Sequence, residues 1–424
     1  MTTGIMSQQP PVAAPSSSVA PLPRHPPSVP PLNPEKRAAR NLNMAVFKNA
    51  IEVGSLVPND AFELMRVEDI YYSRIIKIGQ GTFGEVFKAK CVKTGTIVAL
   101  KKILMENEKE GFPITALREI NMLKSLRHPN VTELVDICSS GSKEKGKTVF
   151  FLVFAFCDHD LAGILAKNNL IISAVDAKTM LKQMFEGLNY IHGCEVLHRD
   201  MKTANILVSK DGYLKLADFG LARPKIRSKN NAPCYTNRVV TMWYRPPELL
   251  LGERSYAGEI DVWGAGCIMA EFWTRTPIFQ GHTEQHQLQL ICNMCGSINE
   301  STMAKARQYP VFRDIDPNFL RGSREVTAKL KKLIKIDSAV DLIERIFTLE
   351  PSMRPTAHDA LRHKYFNEEP LPKENFADFM RSAAFSGSLF EYTSKSGAHR
   401  KPAQQRPTRP PPQVPRTQMV DRIF

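Results

Sequence analysis

The chain has 424 residues, a formal net charge of +14 and a hydrophobic content of 43%. That length exceeds one small domain, and the composition suits an ordinary globular core rather than a fibrous or repetitive chain. No run of about 18 apolar residues occurs, so no helical membrane span is expected, and no apolar stretch follows a basic start as a secretory signal requires. The 8 cysteines are scattered. Cys292-Asn293-Met294-Cys295 has half the spacing of a zinc site but no second Cys/His pair nearby, and it reads as two thiols on a partly buried helix. Such usage fits a reduced cytosolic or nuclear setting. The positive charge would suit nucleic acid or phosphorylated partners, but basic tails and a phosphate-handling site supply most of it. Direct nucleic-acid binding is therefore not expected to be primary.

Residues 1–67 form an N-terminal extension rich in Pro, Ser, Ala and Gln as far as Asn33, expected to be disordered with polyproline II character. Within 34–53, Ala38, Leu42, Val46 and Phe47 fall at near-helical spacing and allow one short helix. Tyr71 to Cys91 alternates as strands do, and Thr96 to Leu104 is a second β-rich run. Pro113 is placed to open a helix carrying Ile114, Leu117, Ile120 and Leu123 on one side. Thr148 to Phe156 reads as a nearly continuous apolar strand. Ser173-Ala174-Val175-Asp176 reads as a capping box, and Gly193 as the end of the helix that follows it. Short strands are expected around Val196, Ile206–Val208 and Leu214–Leu216, and helices over Asp261–Trp273 and Ala339–Leu349. Strands early and helices late predict an α+β chain of two lobes, with a β-rich N-lobe over 68–156 and a mostly helical C-lobe over 157–367. Residues 368–424 are basic and proline-rich, and are expected to be mostly disordered.

Four motifs carry chemistry. Gly79, Gly81 and Gly84 in Gly79-Gln80-Gly81-Thr82-Phe83-Gly84-Glu85-Val86 let backbone N–H groups approach phosphates. A strand rather than a helix follows, which disfavours a dinucleotide fold. Lys101, in Val98-Ala99-Leu100-Lys101, would point inward at phosphates while Lys102 faces solvent. Glu119 is its candidate ion-pair partner. In His198-Arg199-Asp200, Asp200 is the candidate base, with Lys202 and Asn205 close behind. Asp218-Phe219-Gly220 adds a second oxygen ligand. Asn205 and Asp218 offer hard oxygens suited to Mg²⁺.

In this order the four motifs resemble the protein-kinase signature set. Pro113-Ile114-Thr115-Ala116-Leu117-Arg118-Glu119, the run Lys101 to Phe112, Tyr235 to Thr241 and Gly264 to Glu271 make the chain resemble the cyclin-dependent kinases, over about Ile70 to Phe366. The resemblance implies a serine/threonine kinase using ATP and Mg²⁺, activated by a cyclin, T-type by the match, at the 113–119 helix. It implies Asp200 as base, Lys202 on the γ-phosphate and Asn205 and Asp218 as metal ligands. Ile78, Val86, Ala99, Phe154, Phe156 and Cys157 would hold adenine, and Asp160 would reach the ribose. It places an activating phosphate on Thr236, gripped by Arg118, Arg199 and Arg223. Val239, Val240, Trp243 and Arg245 would select proline after the phosphorylated residue. Substrates would be Ser/Thr-Pro sites, above all the repeats of the RNA polymerase II tail, in the nucleus. Glu248 with Arg354, and Asp261 below the catalytic loop, would be structural. Two departures stand out. Phe83 replaces the tyrosine at which cell-cycle members are inhibited, and Ala155 replaces an acidic hinge residue. The insert 139–147 has no counterpart. The competing readings are another cyclin-dependent kinase of the polymerase tail and a cyclin-binding scaffold. Intact Lys101, Asp200 and Asp218 oppose the second.

Overall fold

The computed structural model describes residues 66–67, 71–81, 84–103, 114–141, 148–226, 234–237, 239–382, 385 and 387–392. The helix expected within 34–53, Pro113 itself, the loop tip Thr82–Phe83, residues 142–147 of the insert and everything beyond 392 lie outside them.

The N-lobe is a sheet of six strands: β1 (Arg66–Val67), β2 (Tyr72–Gly81), β3 (Gly84–Cys91), β4 (Ile97–Lys102), β5 (Leu134–Gly141) and β6 (Thr148–Ala155), in the order β1-β5-β6-β4-β3-β2. The alternation of β4 decides which residues face which way. Val98 and Leu100 are buried against Ala89, Phe151 and Val153 on one face. Ala99 and Lys101 occupy the other. Helix α1 (Ile114–Ser125) covers that side, seating Ala116 and Ile120 against Ile103, Ile137, Phe150 and Leu152. The boundary at 67 needs correction. Arg66 and Val67 pair in parallel with Cys138 and Ser139. Edge pairing through the backbone leaves no side-chain pattern in two residues, so nothing in the sequence announced it.

The C-lobe opens with β7 (His159–Asp160) and α2 (Leu161–Leu165) and is built around α3 (Ala174–Gly193). Met180, Leu181, Met184, Phe185, Leu188 and Ile191 of α3 are fully buried. At its start the Ser173 hydroxyl oxygen accepts from the Asp176 N–H at 3.1 Å and donates to the Asp176 carboxylate at 2.6 Å. Strands β8 (Val196–Leu197), β9 (Ile206–Val208), β10 (Leu214–Leu216) and β11 (Arg223–Pro224) lie at the seam between lobes. Then come α4 (Pro247–Leu250), α5 (Glu259–Thr274), α6 (Glu284–Cys295), α7 (Val326–Leu333), α8 (Asp337–Ile346), α9 (Ala357–Leu361) and α10 (Lys364–Asn367). Helix α5 is buried on every side from Ile260 to Phe272, as an apolar helix at the centre of a lobe must be. The two cysteines of the Cys292/Cys295 pair sit buried on α6, and burial pushes the Cys292 thiol up to about 12.

The expectation of disorder from 368 onward is also corrected for the part described. The chain runs past Glu368 along α3 before forming α11 (Ala377–Ser382). Lys178 donates to the Glu368 carbonyl at 2.9 Å, Gln183 to the Glu374 carbonyl at 3.0 Å, and the Lys373 N–H to Thr179 at 3.0 Å. Phe376, Phe379 and Met380 enter the main core. A few aromatic anchors suffice to hold the segment, and its composition hid them.

Candidate active site

A cleft of about 350 Å³ lies between the lobes. Its lining contains Ile78, Gly79, Gly84, Val86, Ala99, Lys101, Phe154, Phe156, Cys157, Asp160, Lys202, Asn205 and Asp218. Gly81, also expected from sequence, is the last residue of β2 and pairs with Gly84. Gly84 has φ 129, a region that side chains avoid, so the turn into β3 depends on glycine. Cys157 is buried, and burial raises its thiol to about 12, which leaves its role to the backbone.

Lys101 sits between two carboxylates, with Glu119 at 2.7 Å and Asp218 at 2.8 Å. Burial alone would lower the Lys101 ammonium, but Asp218 and Glu119 more than offset it and hold it above the ordinary lysine range. Burial works against the Asp218 carboxylate in turn, and Lys101 outweighs it, keeping Asp218 below the usual carboxylate range. Both groups are therefore charged at neutral pH. Asp218 has φ 61, a left-handed backbone uncommon outside glycine and characteristic of strained functional positions.

Asp200 is held by a set of donors. One carboxylate oxygen accepts from the Thr241 N–H at 3.1 Å and the Thr241 hydroxyl at 2.9 Å. The other accepts from Lys202 at 2.7 Å and the Asn205 amide at 2.8 Å. The Asn205 NH₂ also reaches the Asp200 carbonyl at 2.8 Å, which leaves its amide oxygen for a cation. The loop itself is braced from below by Asp261 of α5, which accepts from the Arg199 N–H at 2.7 Å and the His198 N–H at 2.9 Å and bonds His192 at 2.9 Å. Thr241 was not among the expected site residues, although it closes the Tyr235–Thr241 run already singled out.

The three arginines converge. Burial, then Arg199, then Arg118 depress the Arg223 guanidinium, so the cations lie close enough to repel. Thr236 is exposed beside them. Tyr256 joins the parts, accepting from Arg199 at 2.8 Å and donating to the Thr236 carbonyl at 2.6 Å. A phosphate of about −1.5 to −2 charges on Thr236 would relieve that repulsion. Thr236→Ala is expected to lower kcat/KM at least about 10-fold while leaving the melting temperature of the unphosphorylated protein unchanged. Equal activity in the variant would remove Thr236 from regulation.

Farther along, Val239 and Val240 are buried, and Trp243, partly exposed, donates to the Gly281 carbonyl at 3.1 Å. Val240 has φ 64, costly for a β-branched residue. Its carbonyl is turned onto Arg245, which donates to it at 3.1 Å and 3.3 Å and pairs with Glu284 of α6 at 2.7 Å.

The structure also shows two groups that sequence reasoning missed. Behind the loop, Thr203, Tyr244 and Glu271 share hydrogen bonds, with Tyr244 donating to Glu271 at 2.8 Å. Burial pushes the Glu271 carboxyl up to about 7 from an ordinary 4.5, against the bonds from Tyr244 and Thr203. A carboxyl raised in the fold takes up a proton that the unfolded chain releases, so the fold gains stability as pH falls from 7 toward 4.5 and loses that gain above 7. Glu271→Gln is expected to flatten this part of the stability profile, as chemical denaturation between pH 8 and pH 5 would reveal. A variant profile as steep as the parent's would show that Glu271 does not titrate there.

The second group is the C-terminal segment. Phe390, Glu391 and Tyr392 line the cleft. Asp160 was expected to reach a ribose. Its carboxylate instead caps α2 through the Gly163 N–H at 2.6 Å and accepts from the Glu391 N–H at 2.9 Å. Leu389 binds His159 through its N–H at 3.0 Å, and its carbonyl accepts from the Asp160 N–H at 3.0 Å. A Cβ at Gly163 would meet that carbonyl oxygen at 2.7 Å, so only glycine lets the segment lie so close. Ending the chain at Ser382 is expected to raise KM for ATP roughly five-fold, the scale of one lost wall and its hydrogen bonds, with KM for a peptide unchanged. An unaltered KM for ATP would show that the segment is not part of the nucleotide site.

Two lobes closing on a lysine between carboxylates, a braced aspartate and a pair of oxygen ligands define a phosphotransferase. The protein-kinase domain family matches residues 72–366, and the chain belongs to it, within the cyclin-dependent kinases. It is 51% identical over 325 residues to cyclin-dependent kinase 9 of Homo sapiens, covering 76% of this chain and 86% of that protein. It is 49% identical over 396 residues to the probable cyclin-dependent kinase 9 of Caenorhabditis elegans, covering 83% and 82% respectively. Among solved structures, the yeast RNA Pol II CTD kinase CTDK-1 complex superposes with a TM-score of 0.65 at 38% identity, over 74% of this chain and 99% of that one.

The family uses ATP with a divalent metal, and the cleft fits both. Apolar Val86, Ala99 and Phe154 can sandwich a flat base, and Lys101 can meet phosphates. One carboxylate and one amide oxygen suit a cation shared with phosphates better than a cage made wholly of protein.

Proposed function

We propose that this kinase, activated by a cyclin of the T type, transfers the γ-phosphate of ATP to Ser-Pro and Thr-Pro sites, chiefly in the repeats of the RNA polymerase II tail, and acts in the nucleus in transcription elongation. The observation that carries the reading is Val240. With φ 64 and its carbonyl bonded to Arg245, it offers no backbone acceptor to the residue after the phosphorylated one. An ordinary residue there would bury an unpaired N–H, at a cost of about 1–3 kcal/mol. Proline has no N–H to lose. The relatives named as cyclin-dependent kinase 9 and the neighbour described as a polymerase-tail kinase support the substrate and the cyclin.

The residues divide the work as follows. Asp200 accepts the proton of the substrate hydroxyl as the oxygen attacks phosphorus, and Lys202 beside it meets the negative charge of the transferring group. Lys101, fixed by Glu119, orients the phosphates. Asn205 and Asp218 would hold Mg²⁺, which neutralises charge on the phosphates. Arg118, Arg199 and Arg223 tie phosphorylated Thr236 to α1, the catalytic loop and the segment after Asp218, so that cyclin contact at α1 and phosphorylation favour the same geometry.

The test is phosphate transfer to a single-repeat polymerase-tail peptide, with and without a co-purified T-type cyclin. Transfer that requires the cyclin and falls at least about 10-fold when proline is replaced by alanine is expected. A firmly bound cyclin without transfer would favour a scaffold instead. Equal transfer to the alanine peptide would remove the assignment of Val240 and Arg245.

A further inference from the structure

The start of α6 holds both sides of the proline pocket. Trp243 and Arg245 flank Tyr244 at the single turn Met242–Tyr244. Arg245 reaches across to Glu284, the first residue of α6, at 2.7 Å. Trp243 bonds to the loop just before α6, where its indole N–H donates to the Gly281 carbonyl at 3.1 Å. The Gly281 N–H donates in turn to the Gln287 side-chain oxygen at 2.8 Å. The next N–H, that of His282, donates to His286 Nδ1 at 3.3 Å. Side chains of α6 therefore fix the loop that fixes Trp243.

Gln287 is a costly residue for its place. It is 0% exposed, and its amide NH₂ has no hydrogen-bond partner among the described residues. Burying such a donor unpaired opposes folding, and methionine, of similar length, would avoid that cost. What glutamine adds is the oxygen that accepts from Gly281. The loop is also pressed closely onto the helix. A Cβ at Gly281 would meet the Gln287 Cα and N at 2.7 Å, so the approach depends on glycine. One requirement accounts for both residues: the Gly281 carbonyl must stay in place for the Trp243 N–H. Trp243 itself is 38% exposed, and an indole anchored by its N–H offers a rigid apolar face.

We propose that Gln287 is a positioning residue for substrate selection: through Gly281 it holds Trp243 as the wall against which the proline ring of the substrate packs. The inference rests on the proline-directed reading given above and adds a second contribution to it. Val240 and Arg245 disfavour a residue that carries an N–H, whereas Trp243 favours the ring that proline carries. Gln287 acts on the second contribution only, without touching the substrate.

The test uses the full-length kinase with its cyclin and two single-repeat peptides, one with proline after the phosphorylated serine and one with alanine there. Gln287→Met is expected to lower the proline-to-alanine ratio of kcat/KM about five-fold, the scale of a weakened apolar contact at a partly open site. The loss should fall on KM for the proline peptide, with its kcat and KM for ATP within about two-fold of the parent. Trp243→Leu should show a similar loss, and adding Gln287→Met to it should change nothing more, since both act on one contact. An unchanged ratio, an equal loss on both peptides, or a loss that adds to that of Trp243→Leu would overturn the proposal while leaving the proline reading standing. Trp243→Phe keeps an aromatic ring at the surface and loses the N–H, so it tests the same link should Gln287→Met not fold. Selectivity unchanged in Trp243→Phe would overturn the proposal, and a loss of several-fold would support it. A parent kinase that treats the two peptides alike would bring down the proline reading and this inference with it.

Discussion

Replacing Asp200 by asparagine is expected to lower kcat by about 10²–10⁴, the usual worth of a positioned general base. The substitution keeps size and shape, and Thr241 can still donate to the retained oxygen. What disappears is the charge that takes the proton and pairs with Lys202 at 2.7 Å. Since Asp200 takes no part in the adenine wall, KM for ATP should move less than about three-fold, a loss confined to the transition state. Radiolabelled phosphate transfer to a repeat peptide, alongside nucleotide titration and a thermal melt, separates the effects. A variant that keeps kcat within about ten-fold of the parent would deny Asp200 the role of base.

The largest expected effect on stability comes from Arg354. Its guanidinium meets the Glu248 carboxylate in a two-pronged contact at 2.6 Å and 2.7 Å, with side chains 0% and 1% exposed. It also donates to the Thr348 and Leu349 carbonyls and lies over the Trp263 ring at 4.8 Å. Arg354→Ala leaves the Glu248 carboxylate buried without a counter-charge, which costs about 3–5 kcal/mol. Most of that is the penalty of the orphaned charge, so Glu248→Leu/Arg354→Met should be clearly less destabilised than Arg354→Ala alone. Urea unfolding of both variants provides the comparison. A loss below about 1 kcal/mol for Arg354→Ala would mean that solvent reaches the pair more freely than its burial indicates.

The catalytic centre was legible in sequence because its chemistry demands particular residue types in short runs. Lys101, Asn205 and Asp218 line the cleft, and the Asp200 carboxylate accepts from two lining side chains, those of Lys202 and Asn205. The alternation of β4 likewise told Lys101 from Lys102. Helix ends were less legible: α5 begins at Glu259 rather than Asp261, and α8 ends at Ile346 rather than Leu349, because packing rather than propensity sets the last turn. Contacts between distant segments left no local trace. Leu389 meets His159 across 230 positions, and no periodicity in a short aromatic stretch could specify that partner. The Thr203–Tyr244–Glu271 cluster was hidden for the same reason, since each member looks ordinary in its own run.

The docking of Phe390, Glu391 and Tyr392 beside the hinge bears on how inhibitors of this enzyme would be found. These residues lie beyond the family domain, which ends at residue 366, yet they line the same cleft as Cys157. A recombinant fragment trimmed at the domain boundary would present a wider entrance. Compounds ranked on that fragment would be ranked against an incomplete site, and those that gain selectivity from the aromatic rim would be passed over.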